Sequence, residues 1–375
     1  MYNTDCFFFT GYKPCQFKRP CPNCPHYKPV GKRIVIVSLD AMGAVLRSTC
    51  LLEPILRKHP DAHITWITLP GCRALLTHNP HIHRLLVVEA ATLASLTYLQ
   101  FDILYAVDKS IEAGALAEQI QAKEKWGFGL APTGVIRCFT PEATYGYQLG
   151  LDDQLKFYQN QQAETQILTE AMGLKWERDP YILTLLPEEK LEVGKRRSEM
   201  AAALPATPTG FLGYNTGCSL LFSYKRFTVE RACAMIASWR ERFPTYAVLL
   251  LGGREDTERQ RLMKAAFAHD PYVIDTPTEQ GLRSGILWMA TSDVVFSGCS
   301  LGMHIAIGLQ KQVVAWFGVS CIQEIDLYER GVKIQSPVPC SPCWKKTCSN
   351  EPKCYDVVPL QEITTAIETC LHASA

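Results

Sequence analysis

Short runs of β-branched and aliphatic residues alternate with amphipathic helical segments, and this alternation is the feature that most constrains the fold. An apolar run at 33–39 is followed by a helical pattern at 45–58 and by a second run at 63–69. Two more strands and a helix are predicted at 84–89, 101–108 and 113–122. Alternation of this kind predicts a parallel sheet with helices on both faces.

The alternation of predicted strands and helices restarts after a change of amino-acid composition in the middle of the chain. Between Leu186 and Pro208 the sequence becomes charged and then continues as "AAALPATPTG" (201–210), which we interpret as the end of one domain and a linker. Strands are then predicted at 211–217, 246–253, 272–276, 293–298 and 312–318, and helices at roughly 228–243, 255–268, 279–291 and 302–310. The α/β pattern therefore predicts two doubly wound, Rossmann-like domains. They are expected to face a central cleft lined by the carboxyl ends of both sheets.

We place the domain boundaries from this pattern and from the cysteines. The prediction is a cysteine-rich extension at 1–30, a first domain at 31–204 and a second domain at 205–375. A cysteine-rich loop at about 340–354 belongs to the second domain, and a terminal helix is predicted after Pro359.

Composition excludes several classes of protein. A net charge of +1 over 375 residues supplies no long-range field that would gather nucleic acid. The apolar stretches are strand-length, shorter than the roughly 20 residues that cross a bilayer. The first residues, "MYNTDCFFFTGYKPC", lack the basic region of a signal peptide. We therefore expect a soluble, cytoplasmic protein.

The chain has 16 cysteines, and eight of them form two groups. The N-terminal thiol group comprises Cys6, Cys15, Cys21 and Cys24, and the C-terminal thiol group comprises Cys340, Cys343, Cys348 and Cys354. Each contains a C-x2-C pair, which favours a tetrahedral structural site for zinc or iron. The alternative is reduced surface thiols, and the spacing does not decide between two sites and one site shared across the termini. The scattered cysteines are interpreted as small buried hydrophobes.

Three loops in the second half of the chain carry small or hydroxyl-bearing residues after a strand. "NTGCSLLFSYKRF" (215–227) adds a Lys-Arg pair and suits an anion such as a diphosphate. "SGCSLGMHIA" (297–306) leads into a helix start, where unsatisfied amides favour phosphate. In "LLLGGRED" (249–256), Glu255 is a candidate acceptor for a ribose hydroxyl. Each loop alone is also compatible with an ordinary βα turn, and neither a GxGxxG fingerprint nor a P-loop is present.

Taken together, these segments resemble glycosyltransferase family nine, the lipopolysaccharide heptosyltransferases and their relatives. The resemblance also rests on "LDAMGAVLRST", "DDQLKFYQN", "SLGMHIAIGLQKQVVAWFG", "CIQEIDLYERG" and "CSPCWKKTC". The opening residues resemble a cysteine-bearing extension found in one branch of the family. The resemblance implies a GT-B fold, an amino-terminal acceptor domain and a carboxy-terminal domain for a nucleotide-sugar. It also implies inversion at the anomeric centre without a catalytic metal, and a terminal helix that packs back toward the first domain.

The resemblance also implies the donor site. Thr216, Ser219 and Lys225 would contact the diphosphate, Glu255 the nucleoside, and Ser300 to His304 the phosphates and the sugar. The implied donor-binding residues are Thr216, Gly217, Ser219, Lys225, Glu255, Ser300, Gly302, Met303 and His304. Lys225 and His304 are also candidates for the catalytic step, in which positive groups stabilise the departing nucleoside diphosphate.

Two departures from the family pattern fall on the chemistry. The position of the presumed catalytic aspartate is Ala44, and a second acidic position is Cys299. Asp40, four positions before Ala44, is our candidate base, and Asp108 at a strand end is the alternative. The loss of a base typically lowers the rate by about 10² to 10⁴. A weak or inactive transferase that still binds its donor is therefore the second hypothesis.

The function predicted is an inverting transfer of a heptose or similar sugar from an ADP-heptose-like donor. The expected acceptor is a lipopolysaccharide or another cell-surface glycan or lipid-linked molecule, which allows peripheral contact with the inner membrane. A zinc-finger-like nucleic-acid binder is disfavoured because no basic face accompanies the thiols.

Overall fold

The computed structural model describes residues 2–374 and contains two six-stranded sheets, which confirms the predicted α/β class. The chain divides into two compact units. The first unit consists of the segment up to Asp40, Cys50–Gln148 and Gln166–Asp179. The second consists of Ala41–Thr49, Leu149–Thr165 and the chain from Pro180 onward.

The sheet of the first unit has the order β3-β2-β1-β4-β5-β6. Its strands are β1 Arg33–Val37, β2 His63–Thr68, β3 Arg84–Val87, β4 Gln100–Ala106, β5 Gln121–Leu130 and β6 Ile136–Cys138. The first five strands pair in parallel and β6 pairs antiparallel to β5. Residues 34–37 of β1 are fully buried, as expected for a central strand covered on both faces.

The sheet of the second unit is entirely parallel, with the order β12-β11-β10-β7-β8-β9. Its strands are β7 Gly210–Asn215, β8 Tyr246–Leu251, β9 Val273–Asp275, β10 Val294–Gly298, β11 Gln312–Phe317 and β12 Gly331–Gln335. Aromatic side chains fill one face, where Phe296 lies between Tyr214, Phe227 and Trp239.

The α-helices are numbered in chain order. They are α1 Met42–Arg47, α2 Leu52–Lys58, α3 Arg73–Leu76, α4 Ala90–Leu96, α5 Ile111–Gln119, α6 Thr144–Gln148, α7 Glu164–Ala171, α8 Pro187–Ala202, α9 Val229–Arg242, α10 Thr257–Ala266, α11 Gly281–Ala290, α12 Leu301–Gly308 and α13 Leu360–Ser374. Among residues 2–374, no helix is both long enough and apolar enough to cross a membrane.

The prediction was wrong about the helix at 45–58. A 3₁₀ turn at Ser48–Leu51 separates α1 from α2. The hydroxyls of Ser48 and Thr49 donate to the carbonyls of Ala44 and Leu46, 2.7 and 2.6 Å away. Such side-chain bonds compete with the regular helical ladder. The break also separates α1, in the second unit, from α2, in the first.

The charged stretch before residue 204 is a helix, α8, where the sequence predicted the end of a domain and a linker. α8 packs on α11. Arg197 pairs with Asp293 at 2.8 Å, and Arg283 pairs with Glu189 at 2.5 Å. These ion pairs attach α8 to the second unit, so that unit resumes at Pro180 rather than at the expected residue 205.

The terminal helix α13 was expected to pack toward the first domain; its buried face lies in the core of the second unit. Its buried side chains, including Ile363 and Ile367, join the core formed with β10, β11 and α9 of the second unit. The apolar face of a terminal helix is stabilised by whichever sheet face it can cover, and here that face belongs to its own unit.

Candidate functional site

The carboxyl ends of the parallel strands of the second sheet lie at one edge, and the loops that follow β7, β8 and β10 begin there. β7 and β10 are neighbours in space, and the strand order runs away from them in opposite directions, to β8 and β9 on one side and to β11 and β12 on the other. Open α/β sheets bind ligands in the crevice at such a reversal of strand order. All three loops singled out from the sequence begin at this edge.

Asn215, the last residue of β7, connects the parts of this edge. Its Nδ2 atom lies 3.0 Å from the carbonyl of Gly217 and 3.0 Å from the hydroxyls of Ser297 and Ser300. Ser300 is the N-cap residue of α12. The Asn215 amide therefore holds the start of α12 beside the ends of β7 and β10. The first amides of such a helix carry the positive end of its dipole, which favours an anion.

Lys225 is brought to the same edge by a close backbone approach. It ends the 3₁₀ segment Leu220–Lys225, and its carbonyl oxygen lies against Gly298 at the end of β10. A Cβ at Gly298 would be only 2.0 Å from that oxygen, so only glycine allows the approach. The Lys225 Nζ lies 4.3 Å from the centre of the Trp344 ring and 5.0 Å from that of Phe222.

His304 is held as a neutral imidazole inside the second unit. Its side chain is 6% exposed, and its Nδ1 lies 3.3 Å from the hydroxyl of Tyr181. Burial lowers the pKa of His304 well below its usual value, and the positive charges of Arg47 and Lys225 lower it further. His304 can therefore exchange hydrogen bonds near neutral pH but carries no positive charge of its own.

The turn after β1 is shaped by His304. A Cβ at Gly43 would lie 2.6 Å from the His304 Cδ2 and 3.3 Å from its Nε2. α1 can therefore pack on α12 only because residue 43 is glycine. Ala44, the next residue, is half-buried and accepts the Ser48 hydroxyl at its carbonyl. The sequence feature that predicted a catalytic turn thus also has a packing role.

The remaining predicted donor-site residues differ in how accessible they are. Ser219 and Glu255 are exposed, Ser300 is half-buried, and all three lie in loops at the carboxyl edge. Thr216 is fully buried, and its hydroxyl donates to the carbonyl of Leu251 at 3.0 Å. Gly217, Gly302 and Met303 are buried. The exposed hydroxyls and the backbone amides of these loops are therefore better placed for a ligand than the side chains of Thr216 and Met303.

Asp256 was not singled out from the sequence, although it directly follows Glu255. It is 6% exposed, accepts the Gly253 amide at 3.1 Å and lies 3.6 Å from the Arg226 guanidinium. Burial raises its pKa, while the Gly253 amide and Arg226 act in the opposite direction. Asp256 therefore stabilises the loop that carries Glu255.

Two partly buried ion pairs of the second unit were also missed. Lys156 and Glu324 form an ion pair of 2.6 Å, and the Glu324 side chain is only 4% exposed. Arg47 in α1 pairs with Glu164 at 2.5 Å. The two residues of each pair are more than 100 positions apart in the sequence. A single sequence gives no sign that such distant residues form an ion pair.

The two candidate bases belong to the first unit. Asp108, just after β4, is 9% exposed and accepts the amides of Leu39 and Asp40 and the hydroxyl of Ser38. Burial raises the pKa of Asp108 to about 6, although these hydrogen bonds lower it. The Asp40 side chain is exposed. Asp108 thus anchors the turn, and Asp40 is the carboxylate that solvent and ligands can reach.

Each thiol group lines one small cavity of its own. The N-terminal thiol group faces a cavity shared with Phe8, Phe17 and His26, and the C-terminal thiol group faces one shared with Tyr224 and Val319. Burial, together with the other three thiols of its group, raises the pKa of Cys354 to about 11. Over residues 2–374, no group of three or more His, Cys, Asp or Glu side chains is arranged so that it could hold a metal ion. The metal assignment stays a prediction.

The chain was compared with family models, curated proteins and solved structures. A family model described as glycosyltransferase family 9 (heptosyltransferase) matches residues 186–354. No curated protein matches the chain.

Solved structures share the fold. A glycosyltransferase family 9 protein from Veillonella parvula DSM 2008 is 18% identical with a TM-score of 0.67, and the match covers 91% of this chain and 97% of that one. E. coli ADP-heptose lipopolysaccharide heptosyltransferase II is 16% identical with a TM-score of 0.65, covering 92% and 100%. The iron-containing dodecameric glycosyltransferase TibC from enterotoxigenic E. coli H10407 is 10% identical with a TM-score of 0.53, covering 92% and 77%.

These comparisons confirm the resemblance read from the motifs. The two Rossmann-like units correspond to the GT-B architecture of the heptosyltransferase structures. Residues 186–354, which match the model of glycosyltransferase family 9, include the edge where Asn215, Lys225 and the start of α12 lie.

Proposed function

We propose that this protein is an inverting glycosyltransferase that takes a sugar from a nucleoside diphosphate donor. The observation that carries the proposal is the anion site at the edge of the second sheet. There, Asn215 holds the start of α12 beside the ends of β7 and β10, and the Lys225 backbone lies against Gly298 at the end of β10. A fixed positive group and preorganised amides stabilise the charge that develops on a departing diphosphate.

The proposed reaction is a single displacement. The acceptor hydroxyl oxygen attacks the anomeric carbon as the bond from that carbon to the diphosphate oxygen breaks. A base takes the proton of the hydroxyl, and the nucleoside diphosphate leaves with the electron pair. We assign the base to Asp40 because its carboxylate is exposed, whereas the oxygens of Asp108 are occupied by the turn that follows β1.

The donor proposed is ADP-heptose or a close analogue, in line with the heptosyltransferase II that shares the fold. Glu255 would accept a hydroxyl of the nucleoside, and Ser219 and Ser300 would contact the phosphates. The acceptor proposed is a lipopolysaccharide or a related cell-surface glycan, met in the cytoplasm at the inner membrane.

A second candidate function is donor binding without turnover. It is favoured by Ala44 and Cys299, which replace both acidic positions that the family resemblance implies. The two candidates predict the same donor affinity and differ only in the formation of a glycosylated product.

The test uses the full chain with a panel of nucleotide-sugars, with binding measured by calorimetry and transfer measured by mass spectrometry of the acceptor. K225A should weaken ADP binding at least about tenfold, because a charged hydrogen bond to phosphate contributes roughly 1.5–3 kcal/mol. K190A, which changes an exposed lysine of α8, is the matched control. Unchanged ADP affinity in K225A would overturn the assignment of the anion site. Tight binding with no product from any acceptor would favour the second candidate.

We also propose a structural zinc or iron ion in each thiol group; because the described thiols are not arranged around a metal in this structure, binding would have to bring the four sulfurs of each group together. Four thiolates form a typical tetrahedral donor set for either metal. The two groups line separate cavities, which supports two sites over one shared site.

A further inference from the structure

The loop of the C-terminal thiol group carries an aromatic side chain to the donor site. Trp344 directly follows Cys343, and the amides of both residues donate to the carbonyl of Val319, 3.1 and 2.9 Å away. Val319 lies just beyond the end of β11, so the loop is attached to the same carboxyl edge as Lys225. The position of Trp344 is therefore determined by the thiol loop.

The Trp344 ring lies beside two lysine ammonium groups. Lys225 Nζ is 4.3 Å from the ring centre, and Lys156 Nζ is 5.5 Å away. Phe222 meets the same ring edge-on, with the ring centres 5.5 Å apart. An ammonium close to an indole is attracted by the ring quadrupole, more strongly where water is partly excluded. Trp344 and Phe222 together therefore restrict where the Lys225 ammonium can lie.

Trp344 adopts a backbone conformation that is unfavourable for a bulky residue. Its φ of 48° lies in the left-handed region, which bulky residues rarely adopt. Such a conformation persists only where surrounding contacts require it, and it is common at functional sites. Here the contacts are the two amide bonds to Val319 and the packing on Phe222 and Lys225.

We propose that Trp344 is a positioning residue for the donor diphosphate, because its ring preorganises the Lys225 ammonium. The C-terminal thiol group then affects donor binding through Trp344. This inference rests on the proposed role of Lys225 at the phosphates. A preorganised ammonium loses less side-chain freedom when phosphate binds, so affinity depends on the ring. A change in the conformation of the thiol loop would then weaken donor binding without any direct contact between the loop's cysteines and the donor.

The experiment is a double-mutant cycle on ADP affinity, measured by calorimetry on the full chain. W344L should weaken ADP binding about 3- to 30-fold, the range expected for loss of a cation–π contact. In a K225M background, W344L should change affinity by less than about twofold, because Trp344 acts only through Lys225. Equal losses in both backgrounds would show a merely structural role and overturn the proposal.

A second set of variants keeps the test decisive if W344L does not fold. W344F retains a ring and should lose about 2- to 5-fold in affinity, again only when Lys225 is present. The matched control is W288F, because Trp288 stacks on Arg196 at 4.6 Å elsewhere in the second unit. W288F should leave ADP affinity unchanged, and an effect equal to that of W344F would contradict the proposal.

The thiol arm of the test uses C340S/C343S with Trp344 present and replaced. The double serine variant should weaken ADP binding in the wild-type background and add nothing in W344L or W344F. An effect of the serine variants that is independent of Trp344 would overturn the link to the thiol loop. If K225M itself leaves ADP affinity unchanged, the proposed phosphate site fails and this inference fails with it. If K225M weakens binding but neither Trp344 variant does, only the inference fails.

Discussion

Replacing the buried Asp108 by asparagine should stabilise the first unit at neutral and alkaline pH. Burial raises the pKa of Asp108 from its usual 3.8 to about 6. This rise of roughly two pKa units means that ionisation of Asp108 lowers the stability of the folded state by about 3 kcal/mol. Between about pH 4 and pH 6 the folded chain binds more protons at this carboxyl than the unfolded chain, so this contribution to stability is lost as the pH rises.

The hydrogen bonds of Asp108 allow the substitution. The Asn Oδ1 can accept the amides of Leu39 and Asp40, and its Nδ2 can donate to the Ser38 hydroxyl, which accepts as readily as it donates. D108N should therefore have a higher free energy of unfolding than the wild type at pH 8, by up to about 3 kcal/mol. The difference should shrink as the pH falls toward 4.

Urea denaturation at pH 4.5, 6 and 8, followed by circular dichroism, measures this difference. D61N, which changes an exposed carboxylate of the same unit, is the control and should show no such pH dependence. A D108N protein that is less stable than the wild type at pH 8 would refute the reasoning. Transfer activity gives a second result from the same protein: a stable D108N with no activity would identify Asp108 as the base in place of Asp40.

Three further predictions concern the thiols, the buried ion pair and the turn after β1. Purified protein should carry about one to two zinc or iron ions per chain by elemental analysis, and metal no higher than in a variant with all eight group cysteines replaced by serine would contradict this. K156M should lower the free energy of unfolding by about 3–5 kcal/mol at pH 8 because it leaves Glu324 buried without its cation. The loss should be smaller at pH 5, and a pH-independent loss would count against an electrostatic cause. G43A should lower the thermal midpoint through a clash with His304, at a cost of about 1–3 kcal/mol, and H304A should relieve part of it.

The sequence predicted the second unit more completely than the first for a physical reason. Its strands are apolar throughout because an all-parallel sheet is covered on both faces, so β7, β8, β10 and β11 appear as continuous apolar runs. β5 was missed because its first residues, Gln121–Lys125, are mostly charged or polar and largely exposed. Lys123 on this strand pairs with Asp102 on β4, an arrangement that alternation of apolar residues does not reveal.

Part of the candidate site was likewise predictable from the sequence and part of it was not. Lys225, Ser300 and Glu255 were predictable because their loops begin at strand ends, and the topology alone brings those ends to one edge. The hydrogen bonds of Asn215 and the contact of Trp344 with Lys225 depend on positions about 80 to 120 residues apart. No local pattern encodes such contacts, so only the folded structure could supply them.

The question raised by Ala44 is settled by a pair of substitutions. A44D should fold, because Ala44 lies in the first turn of α1, which has no acidic residue, and a carboxylate there is favoured by the helix dipole. If Asp40 is the base, D40N should lower the transfer rate by about 10² to 10⁴ with ADP affinity retained.

In that case A44D should change the rate only slightly, or lower it, because a second carboxylate then disfavours ionisation of the first. If A44D instead raises the rate by about 10² to 10⁴, roughly 3 to 5 kcal/mol of barrier, the wild type lacks its base and the assignment of Asp40 is wrong. A high wild-type rate that neither substitution changes would contradict both accounts and direct attention to Asp108.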